Sequence, residues 1–354
     1  MRRAEFWQTL EDGRIQCDVC PRRCRLKEGQ QGLCFVRARQ DDALVLTTYG
    51  RTSGFCVDPI EKKPLYQFLP GSSTFSFGTA GCNLVCKFCQ NWHLSKAREA
   101  SALSGSASPE AIVQAARRAG CASVSFTYND PVIFLEYAVD VAQACREQGL
   151  ASVAVTAGYI NDAPRKRFFA AMDAANVDLK GFSERFYRQL TGGHLEVVLE
   201  TLRYLVHETG VWVEITTLLI PGENDDPREI EAMCRWIREE LGGQVPLHFT
   251  AFHPAWKLMD KPPTPLESLQ RARNIALDQG LQHVYTGNLP DAAGSTTWCA
   301  GCGLALIRRR GWDILSYALD GAGCCRKCGT RCAGRFPTQA PDMAQRGRGP
   351  VRIL

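Results

Sequence analysis

The feature that most restricts the fold is a regular alternation of two patterns between residues 74 and 288. Short apolar runs, often β-branched, stand at 74–78, 123–128, 152–156, 177–179, 211–218, 247–252 and 284–286 and read as strands. Stretches of helical pattern lie between them, at 109–119, 132–148, 163–173, 195–207, 227–241 and 266–279. Ser108-Pro109-Glu110 and Asp226-Pro227 have the form of helix starts, with proline in the first turn where its missing N–H is not needed. Repeated strand–helix units join parallel strands through right-handed crossovers. The expected fold is α/β: a partial TIM-like (β/α)6 barrel. Chemistry in barrels gathers at the C-terminal ends of strands. Tyr128-Asn129-Asp130, Asp178 with Lys180, and His253 are therefore expected at one mouth.

Directly after the first strand comes Gly81-Cys-Asn-Leu-Val-Cys-Lys-Phe-Cys-Gln-Asn91, with three thiols at Cys82, Cys86 and Cys89. Three closely spaced cysteines hold one face of a metal cluster and leave one metal atom open for chemistry.

Seventeen cysteines in 354 residues is a high count, and most fall in three groups with CxxC spacing. In a reducing compartment such groups bind metals rather than form disulfides. Cys17, Cys20, Cys24 and Cys34 suit a tetrahedral zinc that folds a module too small for its own core, with an auxiliary iron–sulfur cluster as the alternative. Cys299-x2-Cys302 and Cys325-x2-Cys328 flank two strand-like runs around Arg308-Arg309-Arg310-Gly311, the form of a zinc ribbon. Cys324 and Cys332 are spare or competing ligands. Cys56, Cys121, Cys145 and Cys234 read as packed thiols, and the three arginines as a solvated turn.

The expected organisation is a four-cysteine module and connecting loop over 1–73, the barrel over 74–290, the ribbon over 291–335 and a disordered tail over 336–354, rich in Pro, Gly and Arg. The loop containing Asp58-Pro-Ile-Glu-Lys-Lys-Pro-Leu65 is either solvated or covers one mouth of the site. No apolar run approaches the ~18 residues of a membrane span, and the N-terminal residues lack a signal-like apolar segment, which places the protein in the cytoplasm. The formal charge of +5 falls by about two for each four-thiolate zinc and about one for the cluster, to about zero. Basicity is therefore a weak argument for nucleic acid as a partner.

The Cys82-x3-Cys86-x-Phe88-Cys89 motif, placed after the first barrel strand, resembles that of radical S-adenosylmethionine (SAM) enzymes. Cys89-x-Asn91, Asp178-Leu-Lys180 and Ile220-Pro-Gly-Glu-Asn-Asp225 further resemble activases of glycyl radical enzymes such as pyruvate formate-lyase. From about residue 15 to 335 the chain looks like the radical enzyme of the AmmeMemoRadiSam system, through the N-terminal cysteines, Pro59-Ile-Glu-Lys-Lys-Pro64, Cys89-Gln-Asn-Trp92, Phe252-His-Pro254 and Gly287-Asn288. The resemblance implies a [4Fe-4S] cluster on Cys82, Cys86 and Cys89 that chelates SAM and cleaves it reductively to a 5'-deoxyadenosyl radical, which abstracts hydrogen from a substrate. It implies Phe88 near the adenine, Asn129 and Asp130 near the cofactor's ammonium, Lys180 near its carboxylate and Asp178 near its ammonium or ribose. It also implies a low-potential electron donor such as flavodoxin or ferredoxin, and the other proteins of that system as partners.

Residue by residue, other readings stand beside these. Asp130 caps the helix that begins near Pro131, Asp178 and Lys180 pair with each other, and Phe88 shields the cluster. Where relatives carry asparagine, this chain has Ala157, and Tyr159 is the residue to compensate. His248 and His253 face oppositely, and His253 is the one at a strand end. The substrate is a partner protein's glycine backbone in the activase reading, or otherwise a small molecule or peptide. In a different class altogether, the chain is a zinc-bound nucleic-acid module, which needs His93 as a fourth ligand beside Cys82, Cys86 and Cys89.

Overall fold

Eight strands of the computed structural model make up the body of a ten-stranded central sheet: β1 (Arg51–Pro59), β2 (Ser73–Gly78), β3 (Ser123–Phe126), β4 (Ala151–Thr156), β5 (Ala174–Asp178), β6 (Trp212–Leu219), β7 (Leu247–Ala251) and β8 (Val284–Gly287). The structure describes residues 1–97, 105–339 and 349–351. Strands β2 to β8 are parallel and pair in sequence order. Each crossover carries one principal helix, α1 (Pro109–Arg118), α2 (Leu135–Glu147), α3 (Asp162–Phe169), α4 (Leu195–Glu208), α5 (Pro227–Trp236) or α6 (Leu266–Asp278), some with a further short helical turn. The two proline-led starts behave as the sequence indicates, with Ser108 Oγ accepting from Ala111 N–H and Asp226 from Arg228 N–H. β5 begins three residues before its predicted start, because Ala174-Ala175-Asn176 lacks the β-branched signature yet pairs with β4 and β6.

β1 runs antiparallel to β2. Its other edge is covered by Gly349–Val351, antiparallel to Val57–Phe55. The tail is thus not structureless over its whole expected range; a free sheet edge offers unpaired N–H and C=O groups to any extended segment. Residues 340–348 and 352–354 lie outside the described residues.

One face of the sheet is concave in function: its side chains alternate into a shared interior. In register, Asn176 stands beside Glu214 and Asp178 beside Thr216, which in turn neighbours His248. At the N-terminal level this interior is plugged by residues 60–68. Ile60, Leu65 and Phe68 pack on Val153 and Ala174, Asn176 donates to Pro64 O at 2.8 Å, and Glu214 accepts from the N–H groups of Tyr66 and Gln67 at 3.0 and 2.8 Å. The segment is no solvated loop: Asp58, Glu61 and Lys63 are all buried. Above the plug, towards the C-terminal strand ends, the interior stays open.

Two small modules flank the sheet. In the first, the short strands Trp7–Thr9, Ile15–Cys17 and Arg25–Leu26 form one sheet, and Arg2–Arg3, Ala43–Leu46 and Arg37–Gln40 another. Arg37, 2% exposed, pins this module to α2 through Glu136 at 2.6 Å and to the turn before α2 through the carbonyl of Ile133 at 2.9 Å. In the second, β9 (Ala305–Arg310) and β10 (Asp313–Tyr317) form the hairpin of the C-terminal cysteine group. Arg309 corrects the expectation of a solvated arginine turn. It is buried, donates to Tyr66 O at 2.6 Å and Thr297 Oγ1 at 3.0 Å, and lies over the Tyr66 ring. Arg308 and Arg310 alone face solvent. Among the described residues no helix is long and apolar enough to cross a membrane.

Candidate active site

The loop after β2 is fastened at every turn. Gly81 N–H donates to Leu94 O, Val85 N–H to Thr191 O and Lys87 N–H to Leu190 O, at 2.8–2.9 Å. Lys96 Nζ reaches Leu84 O at 2.7 Å. Asn129 secures the loop from β3: its amide donates to Gly81 O at 2.8 Å and its oxygen accepts from Thr79 N–H at 3.1 Å. The side chain expected to receive a cofactor ammonium therefore has its oxygen engaged by the loop backbone.

So held, Cys82, Cys86 and Cys89 line a cavity of about 800 Å³ at the C-terminal strand ends. The same cavity is lined by Phe88 of the loop, by Asn129, Asp130, Asp178 and Lys180 at the ends of β3 and β5, and deeper down by Thr216 in mid-β6 and His248 near the start of β7. Phe88 is buried and packs against Phe186, ring centroids 5.8 Å apart. Tyr128 takes a left-handed backbone, φ 71°, a strained geometry for a bulky residue. Its hydroxyl is 3.3 Å from Asp58 Oδ2, and Lys63 lies over its ring.

Asp130 caps the turn before α2 through Val132 N–H at 3.3 Å, and it also accepts from Thr156 Oγ1 at 2.7 Å and Ala157 N–H at 3.2 Å. Burial pushes its carboxyl up to about 6, opposed by those hydrogen bonds and by the Lys180 charge. Lys180 Nζ pairs with Asp178 Oδ2 at 2.8 Å. Burial disfavours the ammonium, but Asp178 and the Cys86 thiol more than offset it, and its pKa stands above the ordinary lysine range. Asn224, in the Pro-Gly-Glu-Asn run, donates to Lys180 O at 2.7 Å and so positions that residue.

Thr216 Oγ1 is buried beside Asp178 with no hydrogen-bond partner among the described residues. A cavity holding three thiols, an ion-paired lysine, a buried carboxylate and an orphaned hydroxyl suits a cluster together with a zwitterionic ligand. Ala157 contributes its N–H to Asp130 and lines the cavity, whereas Tyr159 does not compensate from that wall. It is buried under the loop, where its carbonyl accepts from Asn83 at 2.8 Å and Arg22 lies over its ring.

His248, not His253, faces the cavity. Its Nε2 is 2.6 Å from Glu214 Oε2 and its ring lies between Tyr66 and Tyr285. His253 is exposed and 3.2 Å from Gln90, and His93 stacks on Trp92 outside the cavity. Sequence reasoning missed the Glu214–His248 pair, though period-two alternation of Glu214, Thr216 and Leu218 with apolar neighbours was a usable signal. It also missed the rim, where Lys62 lies under Trp312 of the C-terminal hairpin, 5.5 Å from its ring centre, with Arg310 beside them.

At the C-terminal module the sulfurs of Cys299, Cys302, Cys325 and Cys328 all lie within 4.8 Å of one another. Cys324 and Cys332 are outside this group; Cys332 is buried 3.9 Å from Gln67 Nε2. Cys121, Cys145 and Cys234 are buried.

The parallel sheet and its three-thiol loop are those of an α/β enzyme with chemistry at its strand ends. The family model of the Radical SAM superfamily matches residues 77–237. An uncharacterized protein of Methanocaldococcus jannaschii is 40% identical over 332 residues, covering 94% of this chain and 98% of that protein. The pyruvate formate-lyase-activating enzyme of Clostridium pasteurianum is 24% identical over 229 residues, 61% of this chain and 92% of that protein. Among solved structures, a radical SAM methyltransferase from Sphaerobacter thermophilus matches with 19% identity and a TM-score of 0.49, covering 67% of this chain and 71% of that one. The chain belongs to the radical SAM superfamily, is an enzyme, and is related to pyruvate formate-lyase activating enzymes. The family implies a [4Fe-4S] cluster and SAM.

Proposed function

We propose that Cys82, Cys86 and Cys89 hold the [4Fe-4S] cluster and that Phe88, Asp130, Asp178 and Lys180 bind SAM above it, with Asn129 holding the loop in place. The observation that carries this reading is the convergence of the three thiols with Asp130 and the Asp178–Lys180 pair on one cavity. Reduced and bound to SAM, such a cluster supplies one electron to the sulfonium, and carbon–sulfur homolysis gives methionine and a 5'-deoxyadenosyl radical. The chain's own residues supply the rest. Asp130 accepts from the ligand's ammonium, Lys180 donates to its carboxylate, Phe88 covers the adenine side, and the rim formed by Lys62 and Trp312 keeps water from the radical.

In this reading the sheet is an incomplete barrel, 74–290, between an N-terminal metal module, 1–73, and a zinc ribbon, 291–335, with zinc on Cys299, Cys302, Cys325 and Cys328. The electron donor is of the flavodoxin or ferredoxin class, and the enzyme works in the cytoplasm, where exposed thiols stay reduced. The N-terminal cysteines, the Pro59–Pro64 run now found at the cavity wall, and Gly287-Asn288 at its rim support assignment to the AmmeMemoRadiSam system, with that system's other proteins as partners. The test is anaerobic reconstitution with iron and sulfide, then dithionite and SAM. 5'-Deoxyadenosine is the expected product; its absence from protein with an intact cluster overturns the reading.

A second reading, activation of a glycyl radical enzyme, draws on the likeness to the Clostridium pasteurianum activase. A small molecule or peptide is favoured instead, because the two flanking cysteine modules go beyond what a minimal activase needs, and Trp312 and Lys62 stand together at the cavity edge. Deuterium carried into 5'-deoxyadenosine from a glycine Cα of a partner protein would decide for the activase.

A further inference from the structure

We propose that Cys17, Cys20, Cys24 and Cys34 bind a second iron–sulfur cluster rather than zinc, placed to exchange an electron with the cluster at Cys82, Cys86 and Cys89. The inference rests on the radical SAM reading of those three cysteines and reverses the zinc expectation drawn from spacing.

The molecule contains its own standard for a single-ion site. A tetrahedral zinc with Zn–S bonds of about 2.3 Å needs its sulfurs about 3.8 Å apart. In the C-terminal group, Cys299 and Cys328 are 3.5 Å apart and Cys302 and Cys325 are 3.8 Å apart. Among the described residues this is the one group of three or more Cys, His, Asp or Glu whose ligand atoms come within 4.8 Å of one another. The four N-terminal thiols line one small cavity but stand wider than that, as do the three of the active-site loop. Wide spacing around a shared cavity is what a cubane requires, since each thiolate there binds a different iron.

The walls of this cavity point the same way. It is lined by Val19, Leu33 and Ile133 together with two arginines, Arg22 and Arg37. Arg37 is fully buried beside Cys17 and Cys34. The Nη2 of Arg22 is buried with no hydrogen-bond partner among the described residues. That nitrogen lies beside Gly192, whose would-be Cβ is 3.3 Å from it, so of the two arginines it is Arg37 that bears directly on the thiols.

Position gives the site its role. The carbonyl of Cys34 touches Gly81, the residue before Cys82. Asn83, the residue after Cys82, lines the N-terminal cavity, and its carbonyl accepts from Arg22 at 2.9 Å. The residues on either side of Cys82 thus both meet the N-terminal thiol module, Gly81 at the Cys34 carbonyl and Asn83 at the cavity wall. A one-electron protein donor of low potential reduces the N-terminal cluster. That cluster is reoxidised as it passes the electron through the loop, and the cluster at Cys82, Cys86 and Cys89 is reduced.

The test compares anaerobically purified wild type with the Cys82→Ala/Cys86→Ala/Cys89→Ala variant, with zinc in the ribbon reporting that each is folded. The variant is expected to keep about four irons and four sulfides with about one zinc, against about eight irons in the wild type. Its reduced EPR signal should ignore SAM. About two zincs and no iron in the variant overturns the inference while leaving the radical SAM reading intact. A wild-type cluster signal that SAM does not shift overturns that reading instead. With both centres reduced, mutual broadening of the wild-type EPR lines is expected and should be missing from the variant; two sharp, independent signals overturn the transfer role.

Discussion

Glu214 and His248 are joined by a 2.6 Å contact between Oε2 and Nε2, on neighbouring strands and at the floor of the cavity. The same carboxylate also holds the N–H groups of Tyr66 and Gln67 and lies 3.1 Å from Trp212 Nε1. One buried side chain therefore fixes both the plug and the imidazole that faces the ligand. Glu214→Ala strands several buried donors at once and is expected to cost about 3 kcal/mol or more of stability. Glu214→Gln keeps an acceptor and should cost less. Denaturant unfolding of the anaerobic holoprotein measures both, and equal losses for the two variants would contradict the account.

Lys180 makes a narrower prediction. Its ammonium is held beside Asp178, but both groups still line the cavity. Lys180→Met is expected to weaken SAM binding about tenfold, roughly 1.4 kcal/mol, with iron content unchanged. Equilibrium dialysis of reconstituted protein is the measurement. A loss of iron in step with affinity would assign Lys180 to cluster assembly rather than to the ligand.

Asp130 should give SAM binding a pH dependence. Its folded-state value of about 6 lies above that of an ordinary carboxyl, with burial as the leading cause. The protonated form therefore adds stability at low pH, and this is lost as pH rises through about 6. Binding of an ammonium runs in the opposite sense, because it needs the carboxylate. Affinity is expected to climb between about pH 5 and 7. The charged neighbours are Lys180 and, when ionised, Cys82. Asp130→Asn should flatten the profile, and Thr156→Val should move its midpoint upward by removing a hydrogen bond to the charged form.

Much of this architecture is legible in the sequence, because it rests on local signals. The seven parallel strands and six crossover helices follow from apolar periodicity, and the helix starts at Ser108 and Asp226 from capping chemistry. The strand-end position of Asp130, Asp178 and Lys180 follows from barrel logic. What escapes is set by long-range partners. Lys63 and Asp58 look like surface charges until they are seen buried together at 2.7 Å. Arg309 sits in a run of arginines, and only its packing on Tyr66, 243 positions away, separates it from its neighbours. His248 has no motif at all; its role comes from the register that sets it beside Thr216.

Arg309 also links the C-terminal module to the cavity. It is 3.6 Å from Glu61, and both side chains are fully buried. Arg309→Ala removes a buried cation beside that carboxylate together with its hydrogen bonds to Tyr66 and Thr297, and is expected to cost about 3 kcal/mol. Arg309→Lys should recover only part, because one ammonium cannot reproduce the guanidinium's contacts with Tyr66 and Thr297. If zinc occupies the four C-terminal thiols as proposed, a chelator should loosen the same hairpin and alter the surroundings of Trp312, read as a change in tryptophan fluorescence, while SAM affinity persists. Loss of SAM binding on zinc removal would place the hairpin in the cofactor site rather than at the rim.

Gly81 offers the sharpest test of how the N-terminal module meets the cluster loop. Its backbone is left-handed, φ 83°, and an added Cβ would lie 1.9 Å from the carbonyl oxygen of Cys34, a main-chain atom with no side-chain freedom to yield. Gly120 is the natural control, since it is also left-handed, φ 66°, but nothing lies within 4 Å of its would-be Cβ. Gly120→Ala should cost only the conformational term, about 1 kcal/mol. Gly81→Ala carries that term and must also push Cys34 away from the loop. A stability loss several-fold larger is expected, with iron lost in parallel from the N-terminal and active-site thiols while zinc in the ribbon is retained. Equal, small losses for the two variants would mean that module and loop separate freely, and the contact between Cys34 and Gly81 would then not hold the two thiol sets together.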